Sequence, residues 1–247
     1  MSVDTPQARP IGDTVSWQPP AAVNPRGTVV VLPGRGEHSG VYERFGLRIA
    51  ADGYVVTTLP DPSAALPADT PAPLVLVGSD VGALHALIRA DRDDRVAAVV
   101  AAGTPLSRGT VDADAGRDDK ADWETEVRMR TTCPTHQARL TADERLDRGA
   151  VLTTEVPNEL IAAAVTARPR VPVLFVHGAA DPIARLEPVR ALADELTQAA
   201  LATVRDGRHD ALNDITHRSV AAEIVQFLER VRDRPDAAPI VTIESAH

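Results

Sequence analysis

Six short apolar runs, each closed by a turn residue, constrain this chain more than any other feature. They are "GTVVVLPG", "YVVTTLP", "LVLVGS", "RVAAVVAAGTP", "VPVLFVHG" and "LATVRDG". Most lack the polar–apolar alternation of a strand with one wet face. Continuous β-branched runs of this length mark strands covered on both sides, as in a parallel sheet. Helix-like stretches separate most of them, among them "HSGVYERFGLRIAADG", with Gly53 as its stop, Val81 to Ala90, "EPVRALADELTQA" and "HRSVAAEIVQFLERVR". Strand–helix alternation predicts an α/β fold with right-handed crossovers and helices on both faces.

The alternation stops once. From residue 106 to 170 the chain is polar, charged and helix-prone, then the strand pattern returns. The expected layout is a core from residues 1–105 and 171–235, a small helical cap at 106–170 and a tail at 236–247. Residues 1 to 10 read as a disordered lead, and "DADAGRDDKADWETEVRMR" as a solvated, mobile segment of the cap. The tail "DAAPIVTIESAH" leaves two readings open, a flexible end or a strand docked on a neighbour in a homodimer.

With 247 residues and 44% hydrophobic content the chain can bury a sizeable core. A net charge of -9 without a basic cluster argues against nucleic acid as a partner. Aromatics are 3%, so a pocket would be lined mainly by aliphatic side chains. The single cysteine, Cys133, rules out an internal disulfide. Cys133 and His136 together are too few for a metal site. No apolar run reaches membrane-spanning length, and the first residues do not resemble a secretory signal. The expectation is a cytoplasmic protein acting on a small molecule.

Three loops carry candidate chemistry. "LVLVGSDVGALHAL" runs a strand through Gly78-Ser79-Asp80-Val81-Gly82 into a helix. This is the G-x-S-x-G strand–turn–helix frame with Asp80 in the nucleophile position and Ser79 one place early. Asp181 follows "VLFVHGAA", and His209 follows "ATVRDGR". The order nucleophile, acid, histidine is that of the α/β hydrolases. Each loop alone is a weak signal, and the three in that order after apolar strands are a strong one.

The stretch "VVVLPGRGEHSGVYERFGLRIAADGYVV", with "HGAADPI" and "GRHDALND", resembles the lysophospholipase and monoacylglycerol lipase branch of the α/β hydrolases. It keeps Gly34, Gly36, Glu37, His38, Ser39, Tyr42, Ala51 and Gly53 of that branch's pattern. It departs from it at Pro33, which stands for the motif's first histidine, in the segment after the second run, and at Asp80, which stands for serine. An aspartate nucleophile is instead similar to the haloalkane dehalogenase and epoxide hydrolase branches. Neither the Trp after the nucleophile nor the cap tyrosines usual there are present.

The resemblance implies an α/β-hydrolase fold, a mostly parallel sheet flanked by helices. It also implies an Asp80–His209–Asp181 triad that cleaves a small or medium apolar substrate through an alkyl ester of Asp80. The main-chain amides of Arg35 and Val81 would form the oxyanion hole. Gly34, Trp123 and His136 are weaker candidates for touching substrate. No metal or organic cofactor is implied. Two alternatives stay open: an esterase-like enzyme with Asp80 as general base, and a non-catalytic ligand-binding protein. His38, His85 and His177 read as structural.

Overall fold

The structure, a computed structural model, describes residues 8–11, 14–107, 119–234 and 240–242. Its centre is an eight-stranded sheet. The strands are β1 (Ala8–Ile11), β2 (Thr14–Trp17), β3 (Thr28–Leu32), β4 (Val55–Thr58), β5 (Leu74–Ser79), β6 (Val96–Ala102), β7 (Val173–Gly178) and β8 (Ala199–Val204). Their order across the sheet is β1-β2-β4-β3-β5-β6-β7-β8. All pairings from β4 to β8 are parallel, while β1–β2 and β2–β4 are antiparallel.

Successive side chains of the central strands go to opposite faces, and each face is covered by its own helices. On one face Val29, Val31, Val75, Val77 and Val100 meet Phe45 and Ile49 of α1 (Glu43–Ala51) and Ile224, Phe227 and Leu228 of α8 (His217–Asp233). On the other, Val30, Leu32, Leu76, Val99 and Phe175 meet Leu84 and Leu87 of α2 (Val81–Ala90) and Val189 and Leu192 of α7 (Leu186–Glu195). Both faces are therefore apolar, which is why these strands read as continuous runs.

Two expectations need correction. Residues 8–10 belong to β1, which forms an antiparallel hairpin with β2, so they are not part of a disordered lead. Residues 1–7 lie outside the described residues. The charged run before residue 131 is not simply solvated either. Its last part folds as α3 (Asp119–Arg130), where Trp123, Glu126, Val127 and Arg130 are buried. These four sit at i, i+3, i+4 and i+7, one face of a helix. Residues 108–118 lie outside the described residues.

Between β6 and β7 the chain also forms α4 (Pro134–Ala142), α5 (Ala150–Thr153) and α6 (Asn158–Thr166). The Asp147 amide beside α5 donates to the Gly36 carbonyl, so this insert touches the loop after β3. Of the tail, residues 240–242 are described, with Ile240 and Val241 exposed. Among the described residues no helix is long and apolar enough to cross a membrane.

Candidate active site

The chain leaves β3 toward β4 on one side, and β5 lies on the other side of β3. Loops leaving the ends of β3 and β5 therefore diverge and open a crevice between them, the usual ligand position in such sheets. Arg35 lies on the first loop and Asp80 at the end of β5.

Asp80 has φ 50° and ψ -123°, a conformation a side-chain-bearing residue adopts only when the surroundings enforce it. The turn is tight on both sides. A Cβ on Gly82 would lie 2.1 Å from the Leu32 carbonyl oxygen, and one on Gly78 would lie 2.3 Å from the Gly82 carbonyl oxygen. The Asp80 amide donates to Ala102 O at 3.0 Å, and the Ala83 amide to Asp80 O at 3.0 Å. The side chain thus leaves the strand end at a fixed angle into the crevice, with Asp80 2% exposed.

The loop after β3 is fixed by a similar logic. The Gly34 amide donates to Glu37 Oε2 (2.9 Å) and Tyr42 Oη (3.1 Å), and the Gly34 carbonyl accepts from the Glu37 amide (3.2 Å). A trans peptide points its C=O and N–H in opposite directions. With the Gly34 carbonyl committed to Glu37, the Arg35 N–H faces the other way and donates to Asp80 Oδ2 at 2.9 Å. Gly34 permits this approach, since a Cβ there would lie 2.9 Å from the Asp80 Cβ.

The Arg35 side chain was not foreseen in this role. Its Nε donates to Asp80 Oδ2 and its Nη2 to Asp80 Oδ1, both at 2.8 Å. Nη1 reaches across to the insert, donating to Thr154 O (2.8 Å) and Val151 O (3.2 Å). This is the two-pronged pairing that a planar guanidinium makes with a carboxylate.

His209 completes the cluster. Its Nδ1 lies 2.8 Å from Asp181 Oδ2 and its Nε2 3.4 Å from Asp80 Oδ1. The latter is an ion-pair separation rather than a formed hydrogen bond. Asp181 is itself held by the amides of Ile183 (2.8 Å) and Ala184 (3.0 Å), which donate to its other oxygen, Oδ1. Gly103, at φ 55°, lets the end of β6 pass close to the His209 carbonyl.

Two anions and two cations share this buried space, and their charges set one another. Burial alone would lower the His209 pKa, but Asp181, with Asp80 adding to it, lifts it to about 10. Burial alone would raise the Asp80 carboxyl, but the cationic His209 and Arg35 hold it well below the usual carboxylate range. At neutral pH the resting site is a carboxylate, an imidazolium, a second carboxylate and a guanidinium.

Of the remaining sequence candidates, Val81 and Gly34 adjoin Asp80, and the others have their partners elsewhere. Val81 opens α2 directly after Asp80. His136 is buried with Nε2 3.1 Å from Asp210 Oδ2, and Trp123 packs in the core with the Arg148 guanidinium 5.2 Å above its ring. The Gly34 amide is committed to Glu37 and Tyr42. His177 bonds the Ala184 carbonyl at 2.9 Å and His38 bonds Asp143 at 2.7 Å. Among the described residues no cluster of three potential metal ligands occurs.

Sequence reading missed a buried charge network behind the site. Arg130 donates to Glu126 Oε1 (2.8 Å), Glu37 Oε1 (3.0 Å) and Arg35 O (3.1 Å), and lies 3.6 Å from Asp210 Oδ1. Glu37 also accepts from the Tyr42 hydroxyl. The helical spacing of Trp123, Glu126, Val127 and Arg130 was the one sequence signal that an inward face existed.

The family described as TAP-like protein matches residues 138–237, less than half of the chain. No curated protein matches the sequence. Among solved structures, the monoacylglycerol lipase of Paleococcus ferrophilus superposes with a TM-score of 0.66 at 19% identity, covering 91% of this chain and 99% of that one. A soluble variant of the Saccharomyces cerevisiae monoglyceride lipase gives 0.65 at 12% identity, covering 94% and 96%. The enol-lactonase of Burkholderia xenovorans LB400 gives 0.61 at 14% identity, covering 90% and 100%. Strand order, elbow and these similarities show that the chain has the α/β-hydrolase fold.

Proposed function

We propose that this chain is a hydrolase that attacks a saturated carbon of a small or medium-sized molecule with Asp80 and passes through an alkyl ester of that residue. The observation that carries the reading is the unequal setting of the two Asp80 oxygens. Oδ2 accepts the Arg35 main-chain amide, the position in which a developing oxyanion is stabilised. Oδ1 faces His209 Nε2 at 3.4 Å. This supports Oδ1 as the attacking atom and Oδ2 as the oxygen that carries charge later.

In this reading the Oδ1–carbon bond forms while the bond to the leaving group breaks, the electron pair going with the leaving group. Where that group is an oxygen, the imidazolium of His209 supplies its proton and becomes neutral. Where it is a halide, the imidazolium is no longer held by the uncharged, esterified Asp80 and releases its proton to solvent, so in either case neutral His209 can take a proton from water. Hydroxide equivalent adds to the Asp80 carbonyl carbon, and charge collects on Oδ2 beneath the Arg35 amide, with the Val81 amide as expected second donor. Collapse expels the alcohol, protonated by His209, and returns the carboxylic acid, whose proton restores the imidazolium. The sum is addition of one water across the cleaved bond.

General-base use of Asp80 is less well supported, because a carboxyl held far below its ordinary pKa is a weak base. A non-catalytic, ligand-binding protein is the second reading, and one observation favours it. The Arg35 fork occupies Oδ1, so the resting carboxylate is paired rather than free.

The test is the intact mass of a His209→Ala variant after exposure to haloalkanes, epoxides, lactones and esters. Haloalkanes need no proton from His209, so they isolate the nucleophilic step. A persistent adduct mapped to Asp80 is expected. Absence of any adduct, with the wild type inert on the same compounds, would overturn the covalent reading in favour of the binding protein.

A further inference from the structure

Resting on that covalent reading, we infer that Arg35 makes the site selective for substrates with a carboxylate on the carbon that bears the leaving group. The inference starts from what must happen before Oδ1 can attack. Oδ1 accepts Nη2 of Arg35 at 2.8 Å, and once Oδ1 turns its electron pair to the substrate carbon it no longer serves that prong as an acceptor. The rest of Arg35 has no reason to move. Nε and the main-chain amide stay on Oδ2, at 2.8 and 2.9 Å, and Nη1 stays on the carbonyls of Thr154 and Val151. One prong of a buried guanidinium, with the side chain 11% exposed, is then left without an acceptor.

A neutral substrate strands that donor in a site shielded from water, which is costly. A substrate carboxylate takes it over with the same planar geometry. Asp80 is not stranded by the exchange, because its Oδ2 keeps the Arg35 main-chain amide and Nε. The prong lies directly beside Oδ1, so the carboxylate that accepts it must sit next to the carbon under attack. An α-substituted carboxylic acid meets that requirement, and an acid with its carboxylate at the far end of a chain does not. The apolar substrate implied by the resemblance is narrowed accordingly.

The experiment compares 2-bromopropionate with 2-bromopropionamide as alkylating agents of Asp80 in the His209→Ala background. Rates are read by intact mass and corrected for each compound's reaction with acetate in solution. The expected result is a preference for the carboxylate of roughly a hundredfold or more, the lower end of what stranding one member of a buried ion pair implies. Arg35→Gln keeps the main-chain amide and removes the fork, so the preference falls to within a few-fold. Arg35→Lys keeps the charge without the fork and retains part of it.

Equal rates with both compounds would overturn the inference and leave the covalent reading standing. If neither compound alkylates Asp80, the covalent reading fails, and propionate binding to the wild type by calorimetry decides the carboxylate site alone. Saturable binding lost in Arg35→Gln and not shown by propionamide sustains it. No binding overturns it.

Discussion

His209 Nε2 stands 3.4 Å from Asp80 Oδ1, while its Nδ1 is 2.8 Å from Asp181 Oδ2, so one imidazole is shared between two buried carboxylates. Its pKa of about 10 is a property of that sharing. Asp80→Asn removes one anion with little change of shape. The His209 pKa is expected to fall below 10 but to stay above its ordinary 6.5, since Asp181 is the larger of the two upward influences. Asp181→Asn is expected to lower it further. Titration of the imidazole resonances by NMR reads both, and an unchanged value in Asp80→Asn would show that the pair is not electrostatically coupled.

The same shift has a consequence for stability. A group whose folded pKa lies above its unfolded value stabilises the fold fully below the unfolded value and loses that contribution as pH rises through the folded one. For His209 the window runs from about 6.5 to about 10. The urea midpoint of the wild type is expected to decline across this range relative to that of His209→Gln, and the two curves to run parallel below pH 6. A gap that stays constant from pH 6 to 10 would contradict the assignment.

The elbow makes a prediction about packing. A Cβ on Gly82 would lie 2.1 Å from Leu32 O and 2.7 Å from Pro33 O, both main-chain atoms that cannot swing aside. Gly82→Ala should therefore push α2 away from the end of β3, where the Arg35 loop begins. A loss of about 3 kcal/mol or more is expected, read as a shifted denaturation midpoint. By contrast, Gly149 has only Thr153 Cγ2 near, at 3.9 Å, and its left-handed φ of 87° is the sole obstacle to a side chain. Gly149→Asn should cost less than Gly82→Ala, because asparagine tolerates that region.

The core strands could be read in advance because Val29 to Leu32 and Leu74 to Val77 are covered on both faces, so burial writes itself into composition. The first hairpin could not. Its strands "ARPI" and "TVSW" are four residues each, one holds a proline, and β1 lies at the sheet edge. Asp80, Asp181 and His209 were legible because each follows a strand, and strand ends converge at one edge of a parallel sheet. The Arg35 fork was not, since its grip on Asp80 spans 45 positions and depends on a side-chain direction set by the Gly34 peptide. Arg130 was misread for a related reason. A charged residue counts as solvated in sequence, whatever partners folding brings to it.

Those partners give the most discriminating prediction away from the reacting atoms. Arg130 is 1% exposed and meets three carboxylates, of Glu126, Glu37 and Asp210, as well as the Arg35 carbonyl. Burial, reinforced by the charge of Asp210, already pushes the Glu37 carboxyl upward, and Arg130 opposes that. Arg130→Met removes the one cation that serves all three. Breaking a buried pair from one side costs about 3–5 kcal/mol, and a loss of that size is expected here. Acid should recover part of it, because Glu37, already pushed upward by burial, can then take up a proton instead of remaining an unpaired anion. The stability gap to the wild type should be narrower at pH 5 than at pH 8. Arg130→Lys should fall between the two, keeping the charge but not the fork that spans Glu126, Glu37 and the Arg35 carbonyl. A cavity left by truncation would cost the same at both pH values, so a gap that does not change with pH would assign the loss to packing rather than to charge.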